Sequence, residues 1–128
     1  MVIGTFLVII GWSMLNACGY GYHSLNSVNS RYNAELAFLN TFIAGSFCAF
    51  LCFIFKRHLV RGDHYKTPRY DIRSLCNGYL AGIAAVTAGS GAMKPWAALI
   101  VGCIEAVLYM VFCAIMKKVR FDDAMENF

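Results

Sequence analysis

The sequence predicts an all-α integral membrane protein with four transmembrane helices, and three observations predict it. Charged residues make up 14% of the 128 residues, against about 25% in average soluble domains, while apolar residues reach 59%. The mean hydropathy is +0.58. The charges also leave four gaps: no Lys, Arg, Asp or Glu occurs before Arg31, from Leu36 to Phe55, or from Ser74 to Met93, and only Glu105 interrupts Pro95 to Met116. A water-soluble surface is excluded by this composition. An expanded, disordered chain is excluded as well, because aromatics alone are 15% and there is little charge to hold the polypeptide open.

Each gap fits one crossing. About 20 helical residues at 1.5 Å of rise match the roughly 30 Å hydrocarbon layer, and an open strand would leave its backbone groups unpaired in lipid. The first helix is expected over 2–22. Met1 runs straight into apolar sequence with no leading Lys or Arg, and the stretch passes Tyr20, which favours a retained helix over a secretory signal. The second is expected over 35–55, the third over 75–92 and the fourth over 96–116. The last turn of the third carries Gly89, Ser90 and Gly91, so an end inside the bilayer stays open for it.

Orientation follows from the eleven basic residues. Four alternating crossings put Lys56, Arg57, Arg61, Lys66, Arg69, Arg73, Lys117, Lys118 and Arg120 on one side, and Arg31 and Lys94 on the other. The positive-inside rule then places both termini and the basic loop 56–73 in the cytoplasm, or in the matrix of a mitochondrion. Mitochondrial inner membrane and plasma membrane are not distinguished. The net charge of +4 is thereby accounted for by topology, and no nucleic-acid partner is expected. Lys56, Arg57, Arg61 and Arg73 are candidates for holding anionic lipid headgroups.

Six cysteines, at 18, 48, 52, 76, 103 and 113, fall on or at the ends of the predicted helices, where cysteine behaves as a small apolar residue. Cys48 and Cys52 share a helix face, but no His or carboxylate lies near them in sequence to complete a ligand set, so no metal is expected. On the third helix Gly78, Gly82, Ala85 and Gly89 follow steps of four, three and four, the pattern of a packing seam that lets a neighbour approach closely.

Glu105 lies near the middle of the fourth helix, where a charge costs about 2.5 to 3.5 kcal/mol on insertion scales. Ala98, Gly102, Glu105 and Tyr109 share one face and Ile100, Ile104, Val107 and Val111 the opposite one. The carboxyl is therefore expected to meet protein. Three readings are open: a neutral acid hydrogen-bonded inside the bundle, a contact with a partner subunit, or a proton or cation site.

The segment GYLAGIAAVTAGSGAMKPWAALIVG, Gly78 to Gly102, followed by VRFDDAMENF, resembles the eighth and ninth helices and following loop of the ammonium transporter and Rhesus family. That family's pattern reads approximately N-G-x-L-x-G-x-x-A-I-T-A-G, then P-W-A-A, then F-D-D-P. Upstream, IGWSMLNACGYGY resembles its sixth helix, and the run Leu39, Asn40, Thr41 resembles the start of its seventh. The resemblance implies a partial ammonium-transporter-like bundle of helices, usually trimeric in the family, built round a narrow apolar pore in each protomer.

The resemblance also implies site residues. Trp12 and Asn16 match pore-lining positions, and Trp12 lies about 16 Å along its helix, at mid-membrane depth. The family's paired pore histidines lie on its fifth helix and a few residues beyond F-D-D-P, and on this correspondence both fall outside the chain. His23, His58 and His64 are predicted in loops and do not stand in for them. Leu15 stands at a gate aromatic, Ala124 at the proline of F-D-D-P, and Glu105 at a small residue.

No phosphate loop, nucleophile with a base, or metal set is legible, so no catalytic residue, cofactor or enzymatic activity is expected. The expected partners are the lipid bilayer and other integral membrane subunits. The favoured reading is a non-catalytic structural or accessory subunit of a larger membrane complex, with a mitochondrial respiratory assembly among the hosts it allows. The alternative is one piece of an ammonium channel completed by other chains.

Overall fold

A computed structural model describes the backbone of residues 1–22, 30–59 and 72–119, and the side chains of 1–20, 32–57 and 72–116. Arg61, the three histidines' side chains and the F-D-D-A segment lie outside the described residues. Within them the chain is helical throughout its regular structure: α1 (Val2–Tyr22), α2 (Ser30–Leu59), α3 (Ile72–Val86), a short 3-10 turn (Thr87–Gly89) and α4 (Pro95–Val119).

Three of the four helices, not all four, are long and apolar enough to cross a membrane by themselves, over Val2–Tyr20, Tyr32–Arg57 and Pro95–Met116. α2 extends past the predicted 35–55 at both ends, because Lys and Arg at a helix end keep their charge in the interface while the backbone stays helical. α3 starts earlier than 75 and stops at Val86 rather than 92. Its 15 residues span about 22 Å, and the 3-10 turn adds about 6 Å.

The reason for the early stop is local. Gly89, Ser90 and Gly91 follow the helix, glycine being about 1 kcal/mol less favourable than alanine in a helix interior, and the Gly89 carbonyl accepts from the amides of Ala92 at 3.0 Å and Met93 at 3.1 Å to close a turn. The chain has turned by Lys94. Its carbonyl receives the amides of Ala97 and Ala98, and Pro95 opens α4 at a position where a missing N–H costs nothing.

α2 is the hub and packs on the other three helices, while α1 also touches α3 and α3 packs on α4. The buried apolar residues are mostly small: Ala37, Ala44, Cys48, Ala49, Cys52, Cys76, Ala98 and Ala106, with Ile83 and Val86 the largest. Large apolar side chains point outward instead, with Ile3, Leu7, Phe6, Trp96 and Phe112 each more than 60% exposed. Water would drive the opposite sorting. Lipid does not, because a tail is as apolar as leucine and helices gain most where small residues let backbones approach.

Candidate functional site

The inward-facing polar groups cluster where the end of α1, the start of α2 and the turn after α3 meet. Trp12 Nε1 donates to Thr87 Oγ1 at 2.8 Å, joining α1 to the 3-10 turn. Asn16 Nδ2 donates to Thr41 Oγ1 at 3.0 Å, joining α1 to α2. Each threonine in turn donates to the carbonyl one turn earlier in its own helix, Thr41 to Ala37 at 2.7 Å and Thr87 to Ile83 at 2.8 Å. Two matched relays therefore fasten α1, one per neighbour.

Tyr20 adds a third tie, its hydroxyl donating to the Ala88 carbonyl at 2.8 Å. Its ring also lies where a side chain on Gly91 would stand, so glycine is required there by close approach. From α2, the fully buried Asn40 uses one amide nitrogen to serve two carbonyls of the turn, Ser90 at 2.6 Å and Met93 at 2.7 Å. Its Oδ1 is buried without a partner, as is that of Asn77 on α3. The orientation of the Asn40 amide is fixed by those two carbonyls, since the reverse would set oxygen against oxygen.

The predicted small-residue seam is divided. Gly78 and Gly82 are buried against α2: a methyl group at Gly78 would come 2.8 Å from Cys52 Cβ, and one at Gly82 would come 2.7 Å from both the Ala44 carbonyl oxygen and Cys48 Cβ. Ala85 is exposed, and Gly89 is approached by Met93 of its own turn rather than by another helix. The face toward α2 follows steps of four, through Ser74, Gly78, Gly82 and Val86, so a three-residue step to Ala85 leaves it.

Glu105 is half-buried beside the junction of α2, α3 and α4, where Cys48, Cys52 and Ala106 are fully buried and Ala81 and Tyr109 pack against them. No hydrogen bond or ion pair engages Glu105 among the described residues. Ala98, Gly102 and Ala106 are buried on the same side of α4, while Ile100, Ile104, Val107 and Val111 are exposed. All six cysteines are free, and no group of three or more metal-ligating side chains exists among the described residues. At the opposite end of α2, Lys56 is half-buried and Arg57 exposed, and Arg73 is half-buried at the start of α3.

The ties at Asn40, Thr41, Thr87 and Tyr20 are not legible as a site from residue pattern. The available signal was polar side chains inside apolar runs, and only pairing in space gives them partners.

Long apolar helices, a core of small residues and interior polar groups bonded between helices define a polytopic membrane protein. The model of the Ammonium Transporter Family matches residues 1–128, and the chain belongs to that family. It is 30% identical over 139 residues to "Ammonium transporter 1 member 1" of Solanum lycopersicum, with 98% of this chain and 26% of the relative covered. It is 31% identical over 134 residues to "Ammonium transporter 1 member 4" of Arabidopsis thaliana, covering 98% and 25%. "Ammonium transporter 1" of Schizosaccharomyces pombe is 29% identical over 129 residues, covering 100% and 23%. The chain thus spans about a quarter of the length of these relatives. No solved structure matches it significantly.

Proposed function

We propose that this chain serves as a non-catalytic packing module of ammonium-transporter descent within a larger membrane complex. One observation carries the reading: Trp12, Asn16 and the amide nitrogen of Asn40 are engaged in bonds between helices or to the turn after α3, and backbone contact closes the space where α2, α3 and α4 meet. Trp12 and Asn16, the candidates for lining a path, both donate to threonines. The Ala44 carbonyl is pressed by α3 at Gly82 and by α4 at Gly102. Selective conduction needs an open constriction, and among the described residues the backbone contact at Ala44 closes the point where α2, α3 and α4 meet. The outer faces, rich in large apolar side chains, are turned to lipid or further helices.

In this reading both termini and the basic loop 56–73 face the cytoplasm or matrix, where Lys56, Arg57, Arg61 and Arg73 meet anionic headgroups. Other integral membrane subunits cover part of the apolar exterior. No step of chemistry is assigned to any residue.

A second reading has its own supporting observation. Trp12 is 38% exposed on α1 while its indole N–H is anchored, so its ring is held at a fixed place on a surface that other helices can complete into a pore wall. The chain is then one piece of an ammonium channel. Purifying the native complex in mild detergent and identifying its chains separates the two. Companions unrelated to transporters support the module, whereas a companion carrying the remaining transporter helices supports the channel. Saturable methylammonium flux through liposomes holding this chain alone would overturn the first reading.

A further inference from the structure

Asn40 carries one polar atom that the surrounding helices leave unserved, and that atom is enclosed. Both hydrogens of its amide nitrogen are taken, by the Ser90 carbonyl at 2.6 Å and the Met93 carbonyl at 2.7 Å, which locks the side chain in place. Its Oδ1 then has no hydrogen-bond partner among the described residues, and Asn40 is 0% exposed. A buried acceptor left without a donor is costly, and such groups are met by protein or by ordered water. Asn77 Oδ1 makes the contrast, because that residue is only half-buried on α3 and stands within reach of whatever lies outside these helices.

Enclosure restricts the occupant to something small. Further helices, other subunits and lipid tails meet the outer surface of the bundle and do not reach a side chain that these helices already cover. We infer that one internal water molecule sits between α2 and the turn after α3, donating to Asn40 Oδ1 and accepting from the Ser90 hydroxyl. Ser90 is also 0% exposed, and its hydroxyl reaches only the Thr87 carbonyl at 3.5 Å, well beyond the roughly 2.7 Å usual for such a bond. The Ser90 carbonyl already holds the Asn40 amide, so the two underused groups are neighbours. A buried water needs two to four polar partners, and this pair supplies the minimum. Room comes from Met93, which packs on Ala44, one turn along α2 from Asn40, and whose unbranched side chain shifts without moving backbone. A cation suits the place less well, since Asn40 and Ser90 are neutral and an ion removed from water without a counter-charge costs far more than a water molecule. The water is a third link between α2 and the turn, and both readings of the chain's role leave it standing.

The test uses the full chain in lipid bilayers, isotope-labelled at asparagine and valine carbons and at threonine nitrogens. Asn40–Thr41 and Val86–Thr87 are the one Asn–Thr and the one Val–Thr pair in the sequence, so both residues are identified without a variant. In solid-state NMR, polarisation from water protons is expected to reach the Asn40 side-chain carbonyl carbon about threefold or more strongly than the equally buried Val86 side chain. Ser90→Ala is expected to keep that excess, because Oδ1 retains its donor. Three results overturn the water: uptake at Asn40 no greater than at Val86, an excess that Ser90→Ala abolishes, which makes the Ser90 hydroxyl itself the donor, or transfer to Asn40 from isotope-labelled ammonium added to the buffer, which makes the occupant a cation. Should Ser90→Ala fail to fold, a density map of the purified wild-type protein that resolves ordered waters decides: one isolated peak within hydrogen-bonding distance of Asn40 Oδ1 is expected, and an empty map there refutes it.

Discussion

Gly82 and Gly102 close on the same Ala44 carbonyl from two different helices. A methyl group at Gly82 would come 2.7 Å from that oxygen, and one at Gly102 would come 2.6 Å from it and 3.1 Å from Ala44 Cα. Because both obstacles are backbone atoms, no side-chain rotation relieves them. α2, α3 and α4 therefore meet at one point with the least separation their backbones allow.

The first prediction follows from that point. Gly102→Ala is expected to destabilise the bundle by about 1 to 3 kcal/mol, the usual range for overpacking. Gly82→Ala should behave alike. Gly4→Ala is the control, since nothing lies within 4 Å of the position on α1, and alanine is the better helix former. Thermal unfolding in one detergent, followed by circular dichroism, reads all three: lower midpoints for the first two and an unchanged or higher one for the third.

Asn40 gives a sharper pair. Asn40→Ala removes the donor from the buried Ser90 carbonyl and the part-buried Met93 carbonyl, and is expected to cost about 1 to 3 kcal/mol for the groups left unsatisfied. Asn40→Asp should be worse than alanine although it is closer in shape, because it sets a carboxylate oxygen against those same carbonyls. Hydrogen exchange over Ala88 to Lys94 is the readout. Faster exchange there in both variants, with Asp ahead of Ala, is the expected order.

Much of the fold was legible from charge spacing, and the reason is physical: lipid tolerates few unpaired charges, so the runs free of Lys, Arg, Asp and Glu mark α1 and most of α2, and the run broken only by Glu105 marks α4. The end of α3 was not legible in the same way. Gly89, Ser90 and Gly91 sit in an uncharged run that charge spacing passes over, and the bonds that hold the turn, from Asn40 to the Ser90 and Met93 carbonyls, come from 50 and 53 residues upstream. Ala85 illustrates a second limit. Small residues at steps of four, three and four fit a generic helix face, but which row meets α2 depends on the crossing, and here the row runs through Val86. Asn16 and Thr41 are 25 residues apart, and no local pattern pairs them.

The α1 ties are expected to matter less than their geometry suggests. In Asn16→Ala the Thr41 hydroxyl keeps its bond to the Ala37 carbonyl, so no buried donor is orphaned. The loss should then be near the 0.6 kcal/mol average for interhelical hydrogen bonds in membranes, or about a threefold change in equilibrium constant. Trp12→Phe should resemble it, since Thr87 keeps Ile83. A double variant Asn16→Ala/Thr41→Ala that costs far more than the sum of the singles would contradict this independence; the measurement is unfolding in mixed micelles.

α3 decides the topology, and labelling can show how. With its 3-10 turn the segment reaches about 28 Å, close to one hydrocarbon thickness, so a lysine before α3 and one after the turn are expected on opposite sides of the membrane. Lys66 and Lys94 are those reporters, and Lys94 is exposed at the start of α4. A membrane-impermeant amine reagent should modify Lys94 in right-side-out vesicles and Lys66 in inside-out vesicles, read by mass spectrometry. Labelling of both in the same vesicles would make α3 re-entrant. It would also put α2 and α4 in a relation that the positive-inside count does not allow, because the basic residues following α4 would then lie across the membrane from the basic loop.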